Sequence, residues 1–136
     1  MKKIILMLVA TFVVLGCSKK EDNESASFPL NDLYGKWRVT HIQQENGAMF
    51  DITSEIAEKA FAPTYATFNN DGTYSGEGYF GTGTGTYKVS GKTITCYIQG
   101  QEYLKYEILD FSKTEATLDM RMTGEKSATR IKVKKQ

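Results

Sequence analysis

Gly76, Gly78 and Gly81 stand in the G-x-G-x-x-G spacing with which glycine-rich loops let a phosphate approach the backbone. That chemistry needs a strand before the glycines and a helix after them, because the helix N-terminus supplies the amides that meet the phosphate. Here Gly81 is followed by Thr-Gly-Thr-Gly-Thr-Tyr-Lys-Val, a strand-like run with no helical period. The kinase form of the motif fails too, since Tyr87-Lys88-Val89 is a poor substitute for Val-Ala-Ile-Lys and no catalytic loop comes after it. The glycines are read instead as relieving strand curvature at Gly76 and Gly78 and bending a hairpin across Gly81 to Gly85. Just upstream, Thr67, Asn69, Asp71 and Gly72 imitate the opening of a calcium loop. Its first ligand is Thr, however, and Gly78 stands where the bidentate Glu belongs, so Asn70-Asp71-Gly72 is turn chemistry.

Other reactive side chains are sparse. His41 is the single histidine, which leaves no Ser-His-Asp triad and no multi-histidine zinc site. Cys96 lies in Lys-Thr-Ile-Thr-Cys-Tyr-Ile with apolar residues at alternate positions, the setting of a small buried hydrophobe and not of a nucleophile. We therefore expect no enzyme, no cofactor and no metal. Seventeen Lys and Arg against 16 Asp and Glu give no field that would attract nucleic acid.

The first residues carry a different signal. Met1-Lys2-Lys3 is basic, Ile4 to Leu15 is apolar apart from Thr11, and Gly16-Cys17 closes the run. At 1.5 Å per residue such a run covers roughly 18 Å, well short of the roughly 30 Å hydrocarbon core, so it reads as a secretory leader over residues 1–16. Val14-Leu15-Gly16-Cys17 resembles the lipobox of bacterial lipoproteins, which implies cleavage before Cys17 and acylation of its thiol. Residues 17–32 then form the lipidated cysteine and a polar tether without hydrophobic period. Ser18 after the cysteine looks like outer-membrane sorting, and Lys19-Lys20-Glu21-Asp22 resembles the surface-export signal of Bacteroidetes lipoproteins or is plain solvated linker. The expected address is thus the outer membrane, on its periplasmic face or at the cell surface. With Cys17 acylated, Cys96 has no partner for an intrachain disulfide.

Residues 33–136 alternate apolar and polar side chains in short Tyr-, Thr-, Val- and Ile-rich runs parted by turn residues, eight in all, beginning with Gly-Lys-Trp-Arg-Val-Thr-His-Ile-Gln. Links of a few residues permit only antiparallel neighbours. Ile94, Cys96 and Ile98 share a face, as do Leu104, Tyr106 and Ile108, then Leu118, Met120 and Met122, then Ile131 and Val133. A meander with one apolar face covers it by curling closed, so the fold class is all-β, a small eight-stranded antiparallel up-and-down barrel. One stretch breaks the period. Asp51 to Ala62 places Ile52, Ile56 and Ala60 at helical spacing with Phe61 beside them, predicting a short helix between strands one and two. Its stripe either covers the barrel mouth as a lid (Ile52, Ile56, Phe61) or packs against the outside.

Gly35-Lys36-Trp37 resembles the G-x-W that opens the first strand of lipocalins, and residues 33 to 134 look like the short lipocalin-like domains of Bacteroidetes lipoproteins. The resemblance implies a calyx for a small apolar molecule, with a basic side chain from the far end of the chain packed over the strand-one Trp. Strand parity turns Arg121 and Arg130 outward, away from that role. Phe68, Tyr87, Cys96, Tyr106, Met120 and Met122 are the expected ligand lining, with Trp37 plugging the base. Two functions stay open: a membrane-anchored lipoprotein binding a small hydrophobic ligand, or a solid barrel serving as an interaction, inhibitor or accessory module of the cell envelope. In the second, Tyr79, Phe80, Tyr97 and Tyr103 are the aromatics that would meet a partner.

Overall fold

The computed structural model describes residues 26–136; the leader, Cys17 and the first part of the tether lie outside the described residues. Among the described residues the nine strands, in chain order, are β1 (Gly35–Gln43), β2 (Met49–Asp51), β3 (Tyr65–Phe68), β4 (Thr73–Glu77), β5 (Gly83–Ser90), β6 (Thr93–Ile98), β7 (Gln101–Phe111), β8 (Glu115–Met122) and β9 (Thr129–Lys135). From β3 to β9 each strand pairs antiparallel with the next, and β9 returns to β1 through Ile131↔Ile42 to Lys135↔Trp37. The result is a closed eight-stranded antiparallel barrel, with β2 as an additional short strand on β1.

Closure follows from the alternation. Ile94, Cys96, Leu104, Tyr106, Ile108, Leu118, Met120, Ile131 and Val133 are all buried inside, where they join Trp37, Val39, Ala66, Phe68, Tyr74, Tyr87 and Val89 in one cluster. Each Val, Leu, Ile, Met or Phe among them contributes roughly 1.5–3 kcal/mol on burial. Only a closed sheet buries one face of every strand while leaving no open edge.

The expected helix over 51–62 is not formed. Among the described residues the helical structure is confined to two single 3-10 turns, Leu30–Asp32 and Ala57–Lys59. The β1 ladder claims the start of the stretch: His41 pairs with Asp51 and the Ile52 N–H donates to the Thr40 carbonyl at 2.9 Å. The ladder resumes where the Val39 N–H donates to Thr64 O at 2.8 Å, so β2 and β3 are two halves of one partner strand of β1. Residues 53–63 are an excursion between the halves. Asp51 closes its first turn by accepting from the Thr53 amide at 2.8 Å and hydroxyl at 2.6 Å. What remains is too short to offset the cost of helix nucleation.

β1 also carries one residue more than β9 across their ladder, the register slipping between Lys132 and Val133. Thr40 is the extra residue, and the bulge lets Val39 and Ile42, three positions apart, both serve the core. Residues 26–32, expected to end the tether, belong to the barrel. Ala26 bridges Gly91, Ser27 N–H donates to the Gly91 carbonyl at 2.8 Å, and Phe28 and Leu30 pack against the core.

Candidate functional site

At the base, the Trp37 indole N–H donates to the Leu33 carbonyl at 2.8 Å, and the side chain is 2% exposed. Its ring stands 5.8 Å from Phe111, which in turn lies 5.1 Å from Phe28. The Lys135 ammonium sits 5.2 Å from the Trp37 ring centroid and donates to the Asp32 carbonyl at 2.6 Å. Lys135 is therefore the basic side chain over the strand-one Trp, a role for which sequence offered only the outward-facing Arg121 and Arg130. It comes from the last strand, and β9 closing on β1 brings it there. The ring quadrupole attracts the cation while the carbonyl satisfies one of its donors. Arg130 instead pairs with Asp119 on the barrel exterior at 2.9 Å.

Of the expected lining, Phe68, Tyr87, Cys96, Tyr106 and Met120 are buried together in the interior, and Met122 is half-buried at its edge. Phe68 is the centre of an aromatic group, with ring centroids 5.5 Å from Tyr74, 5.1 Å from Tyr87 and 5.9 Å from Tyr106. Tyr74 was missed from sequence, although Thr-Tyr-Ser-Gly-Glu alternates and places it inward; it is 3% exposed. Its hydroxyl lies 3.3 Å from that of Tyr106, and the Tyr87 hydroxyl donates to the Asn69 carbonyl at 2.8 Å. These side chains fill the bore. The space left there includes two cavities of about 20 Å³ each, one bordered by Trp37, Phe68, Ile108 and Leu118, the other by Tyr74, Phe80, Tyr103 and Met120. Each has room for about one water, whereas a pocket for a drug-sized molecule takes about 300 Å³ or more.

Burial pushes the Tyr106 and Tyr74 phenols above their ordinary value of 10.0, and it pushes the Cys96 thiol up in the same way. The native state thus keeps protons that the unfolded chain releases. Stability contributed by the two phenols is complete below about pH 9 and is lost as pH rises through and beyond 10, while the share of the thiol, whose ordinary value is 9.0, begins to be lost about one unit lower. For a phenol that stays protonated in the fold, the loss at pH 11 is about 1.4 kcal/mol. Denaturation midpoints measured from pH 7 to 11 should fall over the last two units, and Tyr106→Phe should flatten that fall while costing stability at pH 7.

The opposite end is capped by aromatics. Phe61 of the excursion stands 5.9 Å from Phe50 of β2 and 4.8 Å from Tyr79, which is 5.2 Å from Phe80 in the β4–β5 hairpin. Phe80 packs on the core, and the Tyr103 hydroxyl of β7 donates to its carbonyl at 2.8 Å. Thr64 is the buried polar residue of this corner: its hydroxyl donates to the Ala62 carbonyl at 2.8 Å and accepts from the Tyr79 N–H at 2.9 Å. Gly78, the second glycine of the phosphate-like motif, takes φ +105°, and a Cβ there would overlap the Pro63 carbonyl oxygen. The motif is a tight turn held against the excursion, and the chain leaves it as strand β5. Of the three expected lid residues, Ile52 is buried in the core and Phe61 joins the aromatic cap. Ile56 is 83% exposed and covers nothing, because the 3-10 turn turns Ala57 inward in its place.

His41 Nδ1 lies 2.8 Å from the Thr40 hydroxyl, and among the described residues no three His, Cys, Asp or Glu side chains are grouped to hold a metal. No curated protein matches the chain. The family model of the lipocalin-like domain matches residues 33–118, from the buried Leu33 beneath Trp37 to the middle of β8. With its G-x-W on the first strand, its single closed barrel and its far-end cation on the Trp, the chain belongs to the lipocalin-like domain family.

Proposed function

We propose that this protein is a lipid-anchored, non-catalytic interaction module of the bacterial outer membrane, its barrel serving as a rigid body that presents an outer surface to a protein partner. The anchor rests on the basic start, the apolar run to Leu15 and Val14-Leu15-Gly16-Cys17. Several acyl chains at Cys17 would hold the domain at the membrane, since each buried methylene contributes about 0.8 kcal/mol. The observation that carries the module reading is the filled bore, with its two cavities of about 20 Å³.

A second reading, a calyx for a small uncharged hydrophobic molecule, is favoured by the family and by the buried Tyr74–Tyr106 hydroxyl pair, which would serve as a polar handle inside an apolar bore. A fluorescent fatty acid titrated into the domain separates the two. The module reading expects no saturable uptake into the bore. One-to-one uptake that is lost in a Met120→Trp variant, which fills the bore, would establish the calyx instead. For the anchor, Cys17→Ser should move the protein out of the detergent-extracted membrane fraction, and unchanged fractionation would refute acylation.

A further inference from the structure

We propose that Asn46–Gly47, at the tip of the β1–β2 hairpin, is a site of spontaneous covalent modification, where the Asn46 side-chain amide is converted through a succinimide to aspartate and isoaspartate. The site depends on neither reading of function given above.

The chemistry is an attack by the main-chain nitrogen of the following residue on the asparagine side-chain carbonyl carbon. A Cβ on that residue crowds the attack, and glycine has none. The described residues hold four asparagines, and Asn46 alone precedes a glycine, whereas Asn31, Asn69 and Asn70 precede Asp or Asn. Asn46 and Gly47 are both exposed, and a Cβ built on Gly47 meets nothing within 4 Å. The glycine is there for the turn. Gly47 takes φ +91°, its N–H donates to the Gln44 carbonyl at 2.9 Å, and the Gln44 N–H donates to the Ala48 carbonyl at 2.8 Å. The residue that the hairpin needs is therefore the one that leaves the nitrogen open.

The Asn46 side chain is also prepared. The Ala48 N–H donates to its Oδ1 at 2.9 Å, which folds the side chain back across Gly47 and draws electron density away from Cγ. The protein contains the same turn a second time, with a different outcome expected. Gly72 takes φ +88° and donates to the Asn69 carbonyl at 3.1 Å, and the Thr73 N–H donates to Asp71 Oδ1 at 3.0 Å. Here the side chain is a carboxylate, which bonds from the Thr73 hydroxyl and amide hold below its ordinary pKa, so it stays ionised and offers no neutral leaving group.

At Asn46 the Gly47 N–H first opens its bond to Gln44 and loses its proton to hydroxide or water. The nitrogen then bonds to Asn46 Cγ, the Cγ–Nδ2 bond breaks, and ammonia leaves with a proton from solvent. Water opens the ring at either carbonyl. Attack at the side-chain carbonyl gives aspartate, and the turn at Asp71 shows that this product fits. Attack at the main-chain carbonyl gives isoaspartate, which lengthens the backbone by a methylene and breaks the Gln44–Ala48 closure. Strand β2 pairs only with β1, through three residues, so it has little else to hold it in register.

The test follows the full-length protein in detergent micelles at neutral and mildly alkaline pH, with aliquots digested by trypsin and mapped by mass spectrometry. Cleavage at Arg38 and Lys59 isolates Asn46 from the other asparagines. Conversion at Asn46 should be at least about tenfold faster than at Asn31, Asn69 or Asn70, since its neighbour nitrogen is unhindered. It should accelerate as pH rises, yield isoaspartate among its products, and be abolished by Asn46→Ser, while Asp71 stays unchanged. Conversion no faster than at the other asparagines, equal isoaspartate at Asp71, or conversion in urea but not in the folded chain would overturn the proposal. Hydrogen exchange then reads the consequence: the Gln44 amide should exchange faster in the isoaspartyl form than in Asn46→Asp, and equal exchange would show that the modification leaves the hairpin closed.

Discussion

Trp37→Ala is expected to lower the unfolding free energy by about 3–5 kcal/mol, the range for removing a buried Trp or Phe. A domain of this kind has about 5–15 kcal/mol in total, so this single change removes about a fifth of it or more. The cause is concentrated at the base. The indole fills the space beside Phe111, donates to Leu33, and gives the Lys135 ammonium a face to rest on. Without it the Leu33 carbonyl and one face of Lys135 lose their partners together, and the link between the first and last strands is weakened where the barrel closes. Thermal unfolding followed by circular dichroism should show Tm lower by at least about 12 °C. Tryptophan fluorescence cannot report it, because Trp37 is the single tryptophan of the chain. Trp37→Phe keeps most of the apolar volume and loses the N–H, and it should cost only about 1–2 kcal/mol. If Trp37→Ala were no worse than Trp37→Phe, the base would not be what holds the closure together.

Gly85→Ala is expected to cost about 2–3 kcal/mol, although alanine normally stabilises by limiting the unfolded chain. Gly85 sits in β5 opposite Tyr74, and a Cβ built on it falls on the Tyr97 carbonyl group and lies 3.1 Å from the Ile98 Cα. Both belong to the backbone of β6, so relief requires β5 and β6 to part and the ladder from Thr86↔Tyr97 onward to strain. Overpacking that cannot be relieved by a side chain costs about 1–3 kcal/mol before any lost ladder hydrogen bonds. Gly83→Ala is the control. Its Cβ would meet the Ile98 side-chain tip at 2.9 Å, which can rotate away, so the cost should stay below about 1 kcal/mol. Urea titrations of the two variants decide the point, and equal midpoints would show that β5 and β6 are not in such close backbone contact.

Both glycine substitutions bear on the purpose of the glycine-rich stretch. Its spacing imitates a nucleotide loop, but the residues serve approach and curvature. Gly78 takes a left-handed turn against Pro63, and Gly85 lets one strand lie against the next. The missing helix alone excludes the phosphate, and its absence is legible in sequence because helical period is a local property.

Alternation likewise decided the interior of the second half of the chain. Ile94, Cys96, Leu104, Tyr106, Ile108, Leu118, Met120, Ile131 and Val133 were assigned inward by parity and each is buried, whereas Ile98 and Met122, assigned with them, are only half-buried at the ends of β6 and β8. The pleat forces this, because side chains in a strand change face at every residue, so the code is readable without knowing the neighbours. Parity fails where the ladder slips. Thr40 is an extra residue in β1, and Ile42 returns to the core out of step.

The helical spacing of Ile52, Ile56 and Ala60 misled for a related reason. Hydrogen bonds from β1 claim Asp51 and Ile52, and those bonds come from a strand already aligned by the rest of the barrel. A stretch of marginal helix propensity yields to such a partner. Ile56 was left outside as a consequence, 83% exposed and not part of a lid.

By itself, then, the order of residues determined the strands, which face of each is oily, the single barrel they close into and the G-x-W at its start, because these come from a period of two and short turns. Only the tertiary structure decided that Lys135 lies on Trp37, that the partner of β1 is split around residues 53–63, and that the bore is filled. Each of those depends on how far the strands are staggered when the sheet meets itself and on how side-chain volumes from every strand add up inside. Both are properties of the closed object, and no local stretch of sequence contains them.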